Sequence, residues 1–484
     1  MKFNKKVVIC MIMILSMLLG GCGTSLGSSV KKVKLDPDNP TKVTIWHYYN
    51  GDQLEAFNKL IDEFNGSVGK KEGIYVEGSN FGTVNELKDS IGAAVKHRTG
   101  AEAIPNIFAG YADTVYEVDK LGYVVDLKEY LTQKEQDKYI KSYIEEGEFS
   151  GDGSLKIFPT AKSTEVFMLN KTDWNKFAEA TGADLNDLKT IEGVTKTAQA
   201  YYEWTDSQTK KKNDGKAFFG RDALANYFII GAKQLGTEIF SVKDGKVTLN
   251  FDKEIIRKIW DNYYVPFVKG YFAASGKFRS DDINTGNILS FVGSSAGATF
   301  FPDEVIVDDT RSYPIDMEVL EAPEFEGGED YAVQQGAGMA VTKTDEKQMY
   351  ASVQFLKWFT EDERNIQFSV ASGYLPVTKT ANDVKKIEET TDLTGDNELP
   401  IVKAAIDTVN HNTLYTTKAF EDGTDARNIL EYAMSDKASA DRKTVVKRLE
   451  KGESFDEAVK DFVNDSNFDT WYEATKAELE NLIK

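Results

Sequence analysis

Cysteine is nearly missing from this 484-residue chain: Cys10 and Cys22 are the only two, both within the first 22 residues. The body therefore carries no disulfide, no thiol nucleophile and no cysteine metal site. Histidine is almost as scarce. His47, His97 and His411 lie far apart, and none falls in an HExxH or paired-ligand spacing. There is no GxSxG elbow and no Walker A stretch. The glycine cluster at Gln335–Gly338 lacks the strand-GxGxxG-helix setting of a dinucleotide site, so no cofactor is expected. Basic charge is also short. Lys and Arg number 58 against 78 Asp and Glu, a net charge of −20. A phosphate backbone repels such a surface, which argues against a nucleic-acid partner. What is present is core-forming: 41% hydrophobic and 12% aromatic residues rule out a disordered chain. At roughly 150 residues per domain, the length allows about three domains or two large lobes.

The first residues read as an address. Lys2, Lys5 and Lys6 form a basic region ahead of the uncharged apolar run Val7 to Leu19. That run is short for a membrane span and has the length of a signal-peptide core. It ends in Leu19-Gly20-Gly21-Cys22, which resembles the bacterial lipobox, where the cysteine is lipidated and becomes the first mature residue. A plain secretory signal is the alternative. Residues 1–21 are thus expected to be removed, which takes the net charge to −23. Two acyl chains on Cys22 suffice for stable anchoring. Residues 22–40, poor in large apolar side chains, are expected to form a flexible lipid-anchored tether.

Beyond the tether, strands and helices alternate. Val43 to Tyr49 is β-branched and aromatic, and Leu54, Phe57, Leu60, Ile61 and Phe64 follow at helical spacing. Ile74 to Val76, the amphipathic stretch Val84 to Val95, Ile104 to Ala109 and Val115 to Leu121 continue the rhythm. It predicts an α/β body with a mainly parallel sheet covered by helices. Two short strands around Pro159, within Leu155 to Asn170, suit a chain crossing between lobes. Residues 171–300 are helix-rich, and the last 85 or so look helical.

Four stretches carry a family resemblance: Val43 to Asn65 (VTIWHYYNGDQLEAFNKLIDEFN); Leu87 to Tyr130, with IPNIFAG and LGYVVDLKEYL; Thr164 to Trp174 (TEVFMLNKTDW); and Gln335 to Ala381, closing on Gly-Tyr-Leu-Pro-Val. In this order they resemble the extracellular solute-binding proteins of ABC transporters, family 1, which include maltose-binding and glycerol-3-phosphate-binding proteins. The resemblance implies a two-lobe periplasmic-binding-protein-like (type II) fold with the ligand in an interlobe cleft. On this basis lobe one is expected at 41–158 plus 301–345, and lobe two at 159–300 plus 346–484.

Open α/β folds bind ligands at the carboxyl ends of their strands. Sugars present apolar faces and polar rims, which call for flat aromatics beside hydrogen-bonding groups. The first strand end offers His47, Tyr48, Tyr49 and Asp52, although a strand aromatic more often packs in the core. The next two offer Asn80 and Phe81, then Tyr111 and Asp113; helix capping is the plain alternative for Asp113. Ser163 and Glu165 lie at the expected crossover. Trp204 is a candidate from lobe two, or equally a core residue. Gly336 and Gly338 would let a backbone approach the ligand, or serve a tight turn at the lobe boundary. Tyr374 is a candidate by family position. Arg427, in DARNILE, matches a segment where the family's glycerol-3-phosphate binders hold phosphate; a surface ion pair is the alternative.

The leading expectation is a lipid-anchored, monomeric receptor that captures a sugar or oligosaccharide by hinge closure and hands it to membrane permease subunits, without chemistry of its own. A binder of a phosphorylated small molecule such as glycerol-3-phosphate is the near alternative. An exported glycoside hydrolase is the alternative of another class: its carboxylate pair is set by fold, not spacing, and 78 acidic residues leave it open. A surface adhesin would require a broad apolar patch instead of a cleft.

Overall fold

The computed structural model describes residues 30–243, 245–391 and 398–484. The expected signal peptide, Cys22 and the first part of the tether lie outside them. Two four-stranded sheets organise the chain. The first runs Gly338–Val341, Ile107–Gly110, Thr41–His47, Ile74–Asn80, with the last three parallel and Gly338–Val341 antiparallel. Val43, Ile45, Ile107 and Phe108 are fully buried within it, as expected of strands covered on both faces. The helix Gly51–Gly66 turns Phe57, Leu60, Ile61 and Phe64 into this core, the face its periodicity predicts. The helix Val84–Val95 opens on a capping box made by Thr83 and Glu86.

The second sheet runs Met317–Glu321, Glu165–Asn170, Ser290–Ser294, Phe219–Arg221. Its contacts are antiparallel except for the last pair. Helices Lys171–Thr181, Ile191–Ser207, Leu224–Gln234 and the 28-residue Gly423–Glu450 belong to this lobe. Between the sheets the chain crosses three times. Phe158 bridges to Met339, Ser163 to Gln335 and Lys162 to Leu375, so the segments around 160, 336 and 374 lie side by side at the hinge.

The expected lobe boundaries need correction at two places. Residues 301–333 belong with lobe two: Met317–Glu321 pairs with Glu165–Asn170, and Val305 and Ile315 share a core with Val166 and Met168. The helix Glu346–Phe359, expected in lobe two, packs Val353, Phe355, Leu356 and Phe359 into lobe one. Phe355 meets Phe64 at 5.1 Å. Non-local strand pairing and the apolar cover that each sheet requires decide both assignments. Residues 31–35, expected in the tether, are also held to lobe one. Lys31 donates its amide to Glu129 at 2.8 Å and pairs with the Glu129 carboxylate, and Leu35 packs on the first core. No helix among the described residues is long and apolar enough to cross a membrane.

Candidate functional site

The hinge is built around a buried charge. Lys162, on the crossing segment, exposes none of its surface. Its ammonium donates to Glu146 Oε2 at 2.6 Å and to the Gly336 carbonyl at 2.7 Å. Gln334 Nε2 donates to the same carboxylate oxygen at 2.5 Å. An ammonium taken out of water needs such a set of partners. Here they tie both main crossing segments to the Lys141–Glu146 helix of lobe one.

Above this floor lies a cavity of about 230 Å³ lined by both lobes. Lobe one supplies Tyr111, Asp113 and Glu146; lobe two supplies Asn226, Phe240, Phe420 and Arg427; Gln334 and Gln335 come from the crossing. Tyr111 precedes the helix Ala112–Lys120 and keeps 38% of its surface exposed to the cleft. Asp113 sits in the first turn of that helix. Desolvation pushes its carboxyl up to about 6, against the opposing pull of Arg427 and Lys88. The opposite lobe approaches closely, since a Cβ on Gly423 would stand 2.7 Å from Asp113 Oδ1. Lys88 of lobe one reaches Thr424 Oγ1 of lobe two at 3.3 Å. The phenols of Tyr48 and Tyr374 lie close enough to that of Tyr111 for each to perturb the others, and desolvation raises Tyr48 and Tyr374.

On the lobe-two side, Arg427 Nη2 donates to Asn226 Oδ1 at 2.6 Å, and Asn226 Nδ2 donates to Glu165 Oε1 at 3.0 Å. Glu165 also pairs with Arg221. Among the described residues no carboxylate lies within ion-pair distance of Arg427, and no group of His, Cys, Asp and Glu is placed to hold a metal. The Gln334 and Gln335 Oε1 atoms and the Thr417 hydroxyl are buried without partners. Gln334, Gln335 and Thr417 all belong to the cavity lining, but these three atoms are themselves closed off from it.

Of the expected site residues, Tyr111, Asp113 and Arg427 line the cavity; Glu165 is linked to its wall through Asn226, and Tyr48 and Tyr374 are neighbours of Tyr111. The others go elsewhere, for physical reasons. His47 is wholly buried in the first core, accepts from the Tyr49 amide at 3.2 Å and is held neutral by burial, its pKa down to about 4. Tyr49 packs between Phe57 and Phe368. Asp52 is exposed in the first helical turn. Asn80 holds a turn, bonding the Tyr49 carbonyl and the Gly82 amide, and Phe81 lies on Trp46 at 4.2 Å. Trp204 packs against Phe177 and Tyr201. Ser163 is spent on backbone pairing with Gln335. Gly336, at φ +89°, and Gly338 permit close crossing rather than ligand approach: a Cβ on Gly338 would meet Ile157 Cγ2 at 2.2 Å.

Glu146, Gln334, Gln335, Asn226, Phe240 and Phe420 were not anticipated. Asn226 carried a legible signal, a polar residue inside the apolar helix LANYFII. The glutamines adjoined the glycine cluster. A larger groove of about 970 Å³ lies on the outer side of lobe one, between residues 33–37 and the helix Glu346–Phe359. Two of its cations are already paired with its own carboxylates, Lys357 with Glu135 and Arg364 with Glu361. It does not lie between the lobes.

Residues 59–395 match the family model for bacterial extracellular solute-binding proteins. No curated protein matches in sequence. Among solved structures, the cyclic α-maltosyl-1,6-maltose binding protein of Arthrobacter globiformis is 19% identical, with 92% of this chain and 100% of that one covered at a TM-score of 0.66. UgpB of Mycobacterium tuberculosis, solved with glycerophosphocholine, is 17% identical over 92% of this chain and 99% of its own, also at 0.66. The maltotriose binding protein of Thermus thermophilus is 17% identical over 91% and 100%, at 0.58. At these identities the likeness establishes the two-lobe fold.

Proposed function

The chain belongs to the bacterial extracellular solute-binding proteins, and from that membership we propose that it is the receptor subunit of an ABC importer, capturing a carbohydrate between its lobes. The observation that carries this reading is the interlobe cavity. It sets an aromatic face, Tyr111, beside the polar side chains of Asp113, Arg427 and Gln335, the combination a ring with hydroxyl groups requires. At about 230 Å³ it lies below the roughly 300–1,000 Å³ of drug-sized sites. It therefore suits a small sugar, or one end of a longer one. The cyclic maltosaccharide and maltotriose named for two of the structural neighbours agree with this class. Binding rather than hydrolysis is favoured because Glu146, the cavity's other carboxylate, is occupied by Lys162 and Gln334. That leaves Asp113 without the free partner that glycoside hydrolysis needs. Lipid on Cys22 would hold the protein, as a monomer, at the outer face of the membrane beside its permease.

A thermal-shift panel of sugars tests the proposal. A ligand at 100 times its Kd should add about 2.7 kcal/mol of stability. A panel without any shift would oppose the carbohydrate reading. A second reading, a phosphorylated small ligand, is favoured by Arg427, whose guanidinium has an amide rather than a carboxylate as its partner. Glycerol 3-phosphate belongs in the same panel.

A further inference from the structure

We propose that Asn226 and Glu165 are positioning residues that aim Arg427 into the cleft, so that the ligand meets an arginine set in place from the hinge. The inference rests on the reading that Arg427 contacts the ligand. Asn226 is nearly fully buried, and its amide has two unlike ends. Its NH₂ donates to Glu165 Oε1 at 3.0 Å, so its carbonyl oxygen must face the other way, where Arg427 Nη2 donates to it at 2.6 Å. Glu165 cannot release that amide freely, because its other oxygen is held by the buried Arg221, which lies over the Tyr227 ring at 5.2 Å. The carboxylate therefore fixes the amide, and the amide fixes the guanidinium. A neutral amide oxygen orients the arginine without neutralising it, whereas a carboxylate there would consume the charge.

A second contact sets the register of the two helices involved. Glu431, one turn beyond Arg427 on the same helix face, accepts the Ala225 amide at 2.7 Å. Ala225 directly precedes Asn226, and the turn before it is held at Ala223 by a left-handed φ of +48°. Glu165 opens the strand that leaves the crossover, two residues beyond Ser163, whose backbone pairs with Gln335. Hinge strand, buried amide and cleft arginine thus form one continuous set of hydrogen bonds.

Crystal structures of the full chain as E165Q and N226A test the positioning without any ligand. N226A keeps the Glu165–Arg221 pair intact should E165Q fold poorly. The expected result is an Arg427 guanidinium that leaves its place while the backbone stays. A guanidinium unmoved in N226A overturns the proposal. Calorimetry with maltose and with glycerol 3-phosphate as probes adds the functional arm. For a probe that depends on Arg427, N226A and E165Q should each weaken binding about 10–100-fold, the size of a lost hydrogen bond to a charged group, and N226A should add nothing to R427A. A costly R427A with an unaffected N226A overturns the positioning role alone. An R427A variant that leaves the binding of both probes unchanged removes the ligand contact, and the crystal structures then decide whether the positioning stands.

Discussion

At the scale of single residues, burial decides what each side chain can do. His47 has its pKa lowered to about 4 by desolvation, from an ordinary 6.5. It is neutral in the native protein while the unfolded chain binds a proton below about 6.5. Its contribution is therefore present above that pH and lost as pH falls toward 4, and the shift corresponds to about 3 kcal/mol. Asp113 and Asp222, both raised to about 6, act in the opposite sense, since protonation favours the fold below that pH. Comparing melting temperatures of wild type and His47→Phe between pH 7 and 4 isolates the histidine: the variant should lose less stability across this window. Equal slopes would place His47 in water. The same contrast explains which site residues were legible. Tyr111 and Asp113 stood at a strand end where a cleft must form, and Arg427 was reached only through the family resemblance of its segment. His47 and Tyr49 stood at such an end too, but the pleat turned them toward Phe57 and the core, and a strand's facing is not fixed until its partners are known.

At the scale of elements, the hinge is held by a buried ammonium and by backbone bridges between the crossing segments. Lys162→Met would leave the buried Glu146 carboxylate without its ammonium and should cost about 3–5 kcal/mol in urea unfolding. Gly338→Ala would place a methyl against Ile157 and the Phe158 carbonyl. It should cost about 1–3 kcal/mol by overpacking. An unchanged urea midpoint in either variant would contradict the described crossing. The alternating strands and helices of lobe one were legible because each carries its own period, as Phe57, Leu60, Ile61 and Phe64 do. The lobe boundaries were not. Met317–Glu321 reads locally like any short strand, and only its pairing with Glu165–Asn170, about 150 residues earlier in the chain, assigns it to lobe two.

For the whole molecule, the arrangement is that of a receptor: two lobes with separate cores, three crossing segments, and a cavity that neither lobe forms alone. The chain carries a net charge of −20, and in the cavity Arg427 and Lys88 stand opposite Asp113 and Glu146. The scarcity of cysteine and histidine excluded several chemistries from the outset. What it could not reveal was the alternative built here from an amide, a carboxylate and an arginine spread over 262 positions, Glu165 to Arg427. The most direct test is calorimetric titration of the mature protein with mono-, di- and oligosaccharides, run beside Asp113→Ala and Arg427→Ala. The expected result is one saturable site, weakened about tenfold or more by each substitution, as for lost hydrogen bonds to charged groups, with the sugar recovered intact. Binding that both variants leave untouched, or new reducing ends appearing during the titration, would contradict it.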